Sequence, residues 1–99
     1  MMTFEEWEVK YFFEMYDYRP VINDYFSTKY REKYRPSKYA WIASAESALG
    51  YQLSTVERIN AIDSFHAWIY NKKELCEDYT IKEAWENGHI WGVMKRDEL

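Results

Sequence analysis

Residues 27–41, STKYREKYRPSKYAW, hold five basic side chains, one acid and four tyrosine or tryptophan rings. Cations interleaved with rings are the components of a surface that grips phosphate or carboxylate. The cations supply charge, and the rings supply flat apolar area with an electron-rich face. The partner-binding set predicted on this basis is Tyr25, Lys29, Tyr30, Arg31, Lys33, Tyr34, Arg35, Lys38 and Tyr39. The same residues also read as ordinary helix chemistry. Lysine stems then lie over rings, while the ammonium groups meet a helix C-terminus and the acidic segments 1–17 and 74–86, each of net charge −4. Periodicity leaves both readings open. At about 100° per residue, Ile22, Phe26, Tyr30 and Tyr34 form one stripe that contains Lys29 and Lys33, with Arg31 and Arg35 on the other side.

Other residue types capable of chemistry are scattered. His66 falls on an apolar face and His89 follows a glycine, but the chain has no His-x-x-x-His, paired cysteines or Glu-x-x-His spacing, so no metal site is expected. Ser44 and Ser47 sit in an alanine-rich segment without the glycine-flanked turn of a nucleophilic serine, which points to packing. Cys76 has Glu77 and Asp78 beside it, and acidic neighbours disfavour a thiolate. No glycine-rich phosphate loop occurs, and the carboxylates do not converge in a motif. These absences predict a protein with no catalytic residues and no cofactor.

The elements that must position these residues are marked by three capping boxes. Thr3 to Glu6, Ser54 to Glu57 and Thr80 to Glu83 each place a glutamate three residues after a hydroxyl, so that two otherwise unpaired backbone donors are satisfied. Pro20 suits a helix start, Pro36 a stop or bend, and Gly50 a C-terminal cap. The expected architecture is an all-α, compact bundle of about five helices, over 3–17, 20–35, 37–49, 54–76 and 80–95, in a single domain spanning 1–99.

Phe4, Trp7, Tyr11, Met15 and Tyr18, with Phe12 beside them, predict an amphipathic first helix. Val56, Ile59, Ile62, Phe65, His66 and Ile69 predict a stripe at the centre of the core. Alanines at 40, 43, 45 and 48 permit the close approach of a neighbouring helix. Ile81, Trp85, Gly88 and Gly92 share a helical stripe whose two glycines admit another backbone, although Asn87-Gly88 also fits a turn into a short strand over 89–94.

The 99 residues suffice to bury roughly 60–65 % of the unfolded chain's surface without a disulfide or metal. Twenty of them are aromatic, which argues against disorder and exceeds what a core this size uses, so some rings are expected at an interface. A single cysteine fits a reducing compartment. Acids at 5, 6, 8, 14 and 17 exclude a secretory leader, and no run approaches the ~18 apolar residues of a membrane span. The closing Arg-Asp-Glu-Leu is read as coincidence in a chain with no entry signal. Cytoplasmic location is the expectation.

Thr3-Phe4-Glu5-Glu6-Trp7 and Lys82-Glu83-Ala84-Trp85-Glu86-Asn87-Gly88 resemble the TFEEW-type first helix and KEAWxxG-type last helix of short bacteriophage and prophage accessory proteins. That resemblance covers about a dozen residues. It implies a viral accessory protein, acting in the host cytoplasm, that binds and inhibits or modulates a host protein or nucleoprotein complex such as a CRISPR or restriction defence component. A homodimer is a further expected partner. The alternative is a small nucleic-acid- or nucleotide-binding module using residues 28–39. The net charge of −4 favours a protein partner, because most of the surface would repel an extended polyanion.

Overall fold

A computed structural model of the chain describes residues 2–17 and 28–98, with side chains at 2–10 and 34–98. The described residues form four α-helices: α1 (Phe4–Asp17), α2 (Thr28–Leu49), α3 (Thr55–Glu74) and α4 (Ile81–Glu98). They contain no strand, so residues 89–94 are helical. The expected count of five is corrected to four, because α2 runs through Pro36 and joins what proline was expected to separate. The expected start of that segment, near residue 20, lies outside the described residues.

An internal proline costs a helix its hydrogen bond and crowds the carbonyl one turn back. The burial of residues on both sides of Pro36 outweighs this. Tyr34 packs on Phe65, and Ser37, Ala40 and Trp41 are buried just beyond, so a break at Pro36 would withdraw one end of the same packed face.

Two of the three capping boxes form reciprocally, and at α1 the glutamate meets the threonine hydroxyl in place of its backbone N–H. Ser54 Oγ accepts from Glu57 N at 3.2 Å while Ser54 N donates to the Glu57 carboxylate at 3.1 Å, and Thr80 and Glu83 repeat the exchange at 3.0 and 3.1 Å. At α1, Thr3 Oγ1 accepts from Glu6 N and donates to Glu6 Oε1, both at 3.2 Å. Gly50, at φ +83°, ends α2 and returns its N–H to Glu46 O.

The start of α3 carries a titration signature. The Ser54 backbone N–H and then the Tyr51 hydroxyl, 2.8 Å away, hold the Glu57 carboxyl below its ordinary range, while Glu57 raises the Tyr51 phenol above its own. A lowered carboxylate contributes stability above its unfolded pKa and loses it as pH falls through the folded value. A raised phenol contributes below its unfolded pKa and loses it as pH rises through the folded value. The cap is therefore strongest between the two. Following the Glu57 carboxyl by NMR should show it titrating at higher pH in Tyr51→Phe than in the native chain, and identical titrations would refute the coupling.

At its other end α3 closes with paired bonds from Cys76 N to Lys73 O and from Glu77 N to Lys72 O, with Cys76 at φ +55°. This arrangement usually carries glycine at the left-handed position, because a Cβ there costs about 1–2 kcal/mol. Lys72 Nζ meets Glu77 at 3.2 Å where an apolar contact commonly sits. Cys76→Gly should raise stability by roughly 0.5–1 kcal/mol, the relief of that strain less the entropy glycine adds to the unfolded chain. Chemical denaturation measures it, and a loss of stability would contradict the strained position.

Helices α2 and α4 run parallel along a seam of small residues. Gly88 lies against the Trp41 backbone, Gly92 against Ala45 and Ala48, and Arg96 Nη1 donates to Ala48 O near the end of α2. Across the seam Ser44 Oγ donates to Trp85 O, which satisfies a fully buried hydroxyl. Of the four alanines read from the sequence, Ala45 and Ala48 thus meet Gly92, while Gly88 lies on the Trp41 backbone and Ala40 and Ala43 pack near Trp7 and Trp85.

Helix α1 covers one side through Trp7, which packs with Ala40 and lies 5.5 Å from the Trp85 ring, and Met2 N donates to Ser47 Oγ. Helix α3 covers the other through Phe65, completely buried among Trp41, Tyr34 and Trp68. Tyr11, Phe12, Met15 and Tyr18 of the expected first-helix stripe lie outside the described side chains.

The stripe expected to centre the core is corrected. Phe65 is fully buried and Ile62 and Ile69 partly so, but Val56 is 68 % exposed, Ile59 54 % exposed, and His66 also faces outward. The inner face is set by Ala61, Phe65, Trp68 and Ile69. Ala61 lets α3 approach Trp41, a contribution that side-chain hydrophobicity alone does not rank.

Candidate functional site

The basic and aromatic strip occupies the N-terminal half of α2. Tyr25 lies outside the described residues. Lys29, Tyr30, Arg31 and Lys33 stand on helical backbone, with side chains outside those described. Four members of the predicted set have described side chains, and the structure brings them together. Lys38 Nζ lies 5.7 Å from the centre of the Tyr34 ring and 5.5 Å from that of Tyr39, and the Arg35 guanidinium lies 5.9 Å from Tyr39. The cause is local: on a continuous helix residues four apart are neighbours, which stacks 34 with 38 and 35 with 39.

The rings differ in role. Tyr39 is 36 % exposed and gives the strip its apolar surface. Tyr34 turns inward, with its ring nearly parallel to His66 at 5.7 Å and also on Phe65, and its hydroxyl hydrogen-bonds His66 Nε2. Among the described residues neither Arg35 nor Lys38 makes an ion pair. Two cations are therefore held over rings, an arrangement that can bind carboxylate or phosphate.

The remaining candidates occupy structural places. Ser44 is in the α2–α4 seam, and Ser47 accepts from Met2 N. Cys76 is exposed, just beyond the end of α3. His89, on α4, is half-buried. Among the described residues no group of three histidines, cysteines or carboxylates can hold a metal ion, and no helix is long and apolar enough to cross a membrane. An open groove of about 430 Å³ lies between the N-terminus, α1, the end of α2 and residues 50–52. Its charged members, Lys10 and Glu46, are of opposite sign, and Glu46 is already engaged with Leu53 N at 2.9 Å.

Sequence reasoning missed the Tyr34–His66 contact, which joins positions 32 apart and leaves no local signal. It also missed that α3 is apolar on two faces. The spacing of Val56, Ile59 and Tyr70 carried that information, but it merged into the inner stripe. Ser37 Oγ and Trp41 Nε1, one turn apart on α2, are buried without a hydrogen-bond partner among the described residues. Compared with known proteins, the chain matches no family model, no curated protein and no solved structure.

Proposed function

We propose that the chain is a non-enzymatic binding protein of the phage accessory type, which docks on a host protein, such as a defence component, and inhibits or modulates it. The observation that carries this reading is the Arg35–Lys38–Tyr39 strip, where two cations that make no ion pair among the described residues lie over an exposed ring. Such a strip suits an acidic protein surface. The charges steer the encounter and speed association, and Tyr39 contributes apolar area once water is excluded. The likeness of Thr3 to Trp7 and Lys82 to Gly88 to phage accessory proteins supplies the biological setting.

The second reading is a nucleic-acid module using residues 28–39, favoured by the same cations and rings. The net charge of −4 weighs against it, because a long polyanion would meet repulsion outside the strip. Fluorescence anisotropy with labelled DNA and RNA, titrated over a range of salt, separates the two. Binding should be negligible near physiological salt. A micromolar or tighter complex whose affinity falls steeply with salt, each neutralised phosphate releasing a counterion, would promote the second reading.

A further inference from the structure

The outer face of α3 has a regular pattern that the described residues leave uncovered. Val56, Ile59, Asp63, His66, Tyr70 and Lys73 follow spacings of three, four, three, four and three, the a/d spacing of a two-stranded helix pair, with apolar residues at 56, 59 and 70 and polar ones at 63, 66 and 73. All six are exposed, and Val56 and Tyr70 each show 68 % of their surface. Within the described residues the Asp63 carboxylate and His66 Nδ1 make no hydrogen bond or ion pair, since His66 engages Tyr34 through Nε2.

We infer that this face is a docking surface for a second copy of the chain, pairing α3 with α3 in antiparallel orientation about a two-fold axis. This surface adjoins the basic strip at the Tyr34–His66 contact and shares no cation with Arg35 or Lys38. Polar complementarity of the face to itself, a carboxylate with a ring N–H, selects both occupant and direction. A parallel pair would set Asp63 against Asp63, His66 against His66 and Lys73 against Lys73, all like with like. In an antiparallel pair each a position faces a d position of the other copy. Ile59 then meets Tyr70, Asp63 meets His66, and the aliphatic stem of Lys73 covers Val56, with every contact made twice by symmetry. Sliding by one heptad one way pairs Asp63 with Lys73 but leaves Val56 and Ile59 uncovered, and sliding the other way sets Asp63 on Ile59 and leaves Tyr70 uncovered, so apolar burial fixes the register. The Tyr34 hydroxyl holds the His66 ring at Nε2, which leaves Nδ1 for the carboxylate of the other copy.

Sedimentation equilibrium of the full chain tests the surface. A reversible dimer is expected, weakened about tenfold or more by Ile59→Lys, with no comparable change for Ile90→Lys, an α4 position of similar exposure (55 %). Both side chains stand in solvent, so neither substitution threatens the fold. A chain that stays monomeric to millimolar concentration, a dimer indifferent to Ile59→Lys, or an α3 face that binds only a different protein would each overturn the inference.

The pairing itself is tested in a Cys76→Ser background. Ile59→Cys with Tyr70→Cys should give interchain disulfides under mild oxidation, which neither single variant forms. Cross-linking from Ile59→Cys alone, as in a parallel pair, would overturn the antiparallel arrangement. Asp63→Lys should weaken the dimer, and adding His66→Glu should restore it. Failure of that restoration would count against the Asp63–His66 contact. Ile59→Lys and the Ile59→Cys/Tyr70→Cys pair leave Arg35, Lys38 and the His66 contact with Tyr34 in place, so their failure leaves the proposed function standing, and the reverse holds too.

Discussion

Gly88→Ala is expected to destabilise the fold by about 2 kcal/mol, although alanine is the better helix former by ~1 kcal/mol. A Cβ at position 88 would fall 2.5 Å from the Trp41 carbonyl oxygen and 2.7 Å from the Trp41 Cα. Both are backbone atoms, so no change of rotamer relieves the overlap and α2 and α4 must move apart. Overpacking costs ~1–3 kcal/mol, and contacts this short lie at the upper end. The separation would also loosen Ser44 from Trp85 O and Arg96 from Ala48 O. Gly92→Ala should behave alike, its added atom meeting Ala45 O at 2.8 Å. Urea unfolding followed by circular dichroism measures both, and an unchanged or raised midpoint would mean that the helices are not in backbone contact.

Phe65→Ala should cost more, about 3–5 kcal/mol, the range for removing a fully buried aromatic ring. Phe65 is the one ring that Tyr34, Trp41 and Trp68 all approach, at centroid distances of 5.7, 5.6 and 6.3 Å. Its loss opens a cavity where α2 meets α3 and removes the support of Tyr34, and with it the ring beneath Lys38. Val56→Ala, on the opposite face of the same helix, should change stability by no more than ~0.5 kcal/mol in dilute solution. Comparable losses at the two positions would contradict the assignment of inner and outer faces.

The ends of the helices were legible in the sequence because a cap is chemistry within four residues. Ser54 with Glu57 and Thr80 with Glu83 form the reciprocal bonds their types imply, and Gly50 takes the positive φ that only glycine adopts freely. The close approach at the α2–α4 seam was legible for a similar reason, since small residues at helical spacing admit only a few kinds of neighbour. Two features depended on tertiary contacts. Pro36 carries the local signal of a helix end, and the burial of Tyr34, Ser37 and Trp41 around it overrides that signal. The two faces of α3 were merged because Val56 and Ile59 are as apolar as Phe65 and Ile69. Which pair turns inward is decided by Ala61 and the rings of α2, which no window on α3 contains. The candidate strip was half legible: Lys38 and Arg35 stack on rings as helical spacing requires, whereas the inward turn of Tyr34 depends on His66 and Phe65 from α3.

The binding role is tested most directly by comparing what the native chain and the Arg35→Glu/Lys38→Glu variant retain from a bacterial host lysate, with circular dichroism establishing that both are equally helical. The account predicts a defined protein enriched on the native chain and lost from the variant, with slower association of the purified pair as the charges are reversed. Retention of the same proteins by both chains, or of none by either, would contradict it.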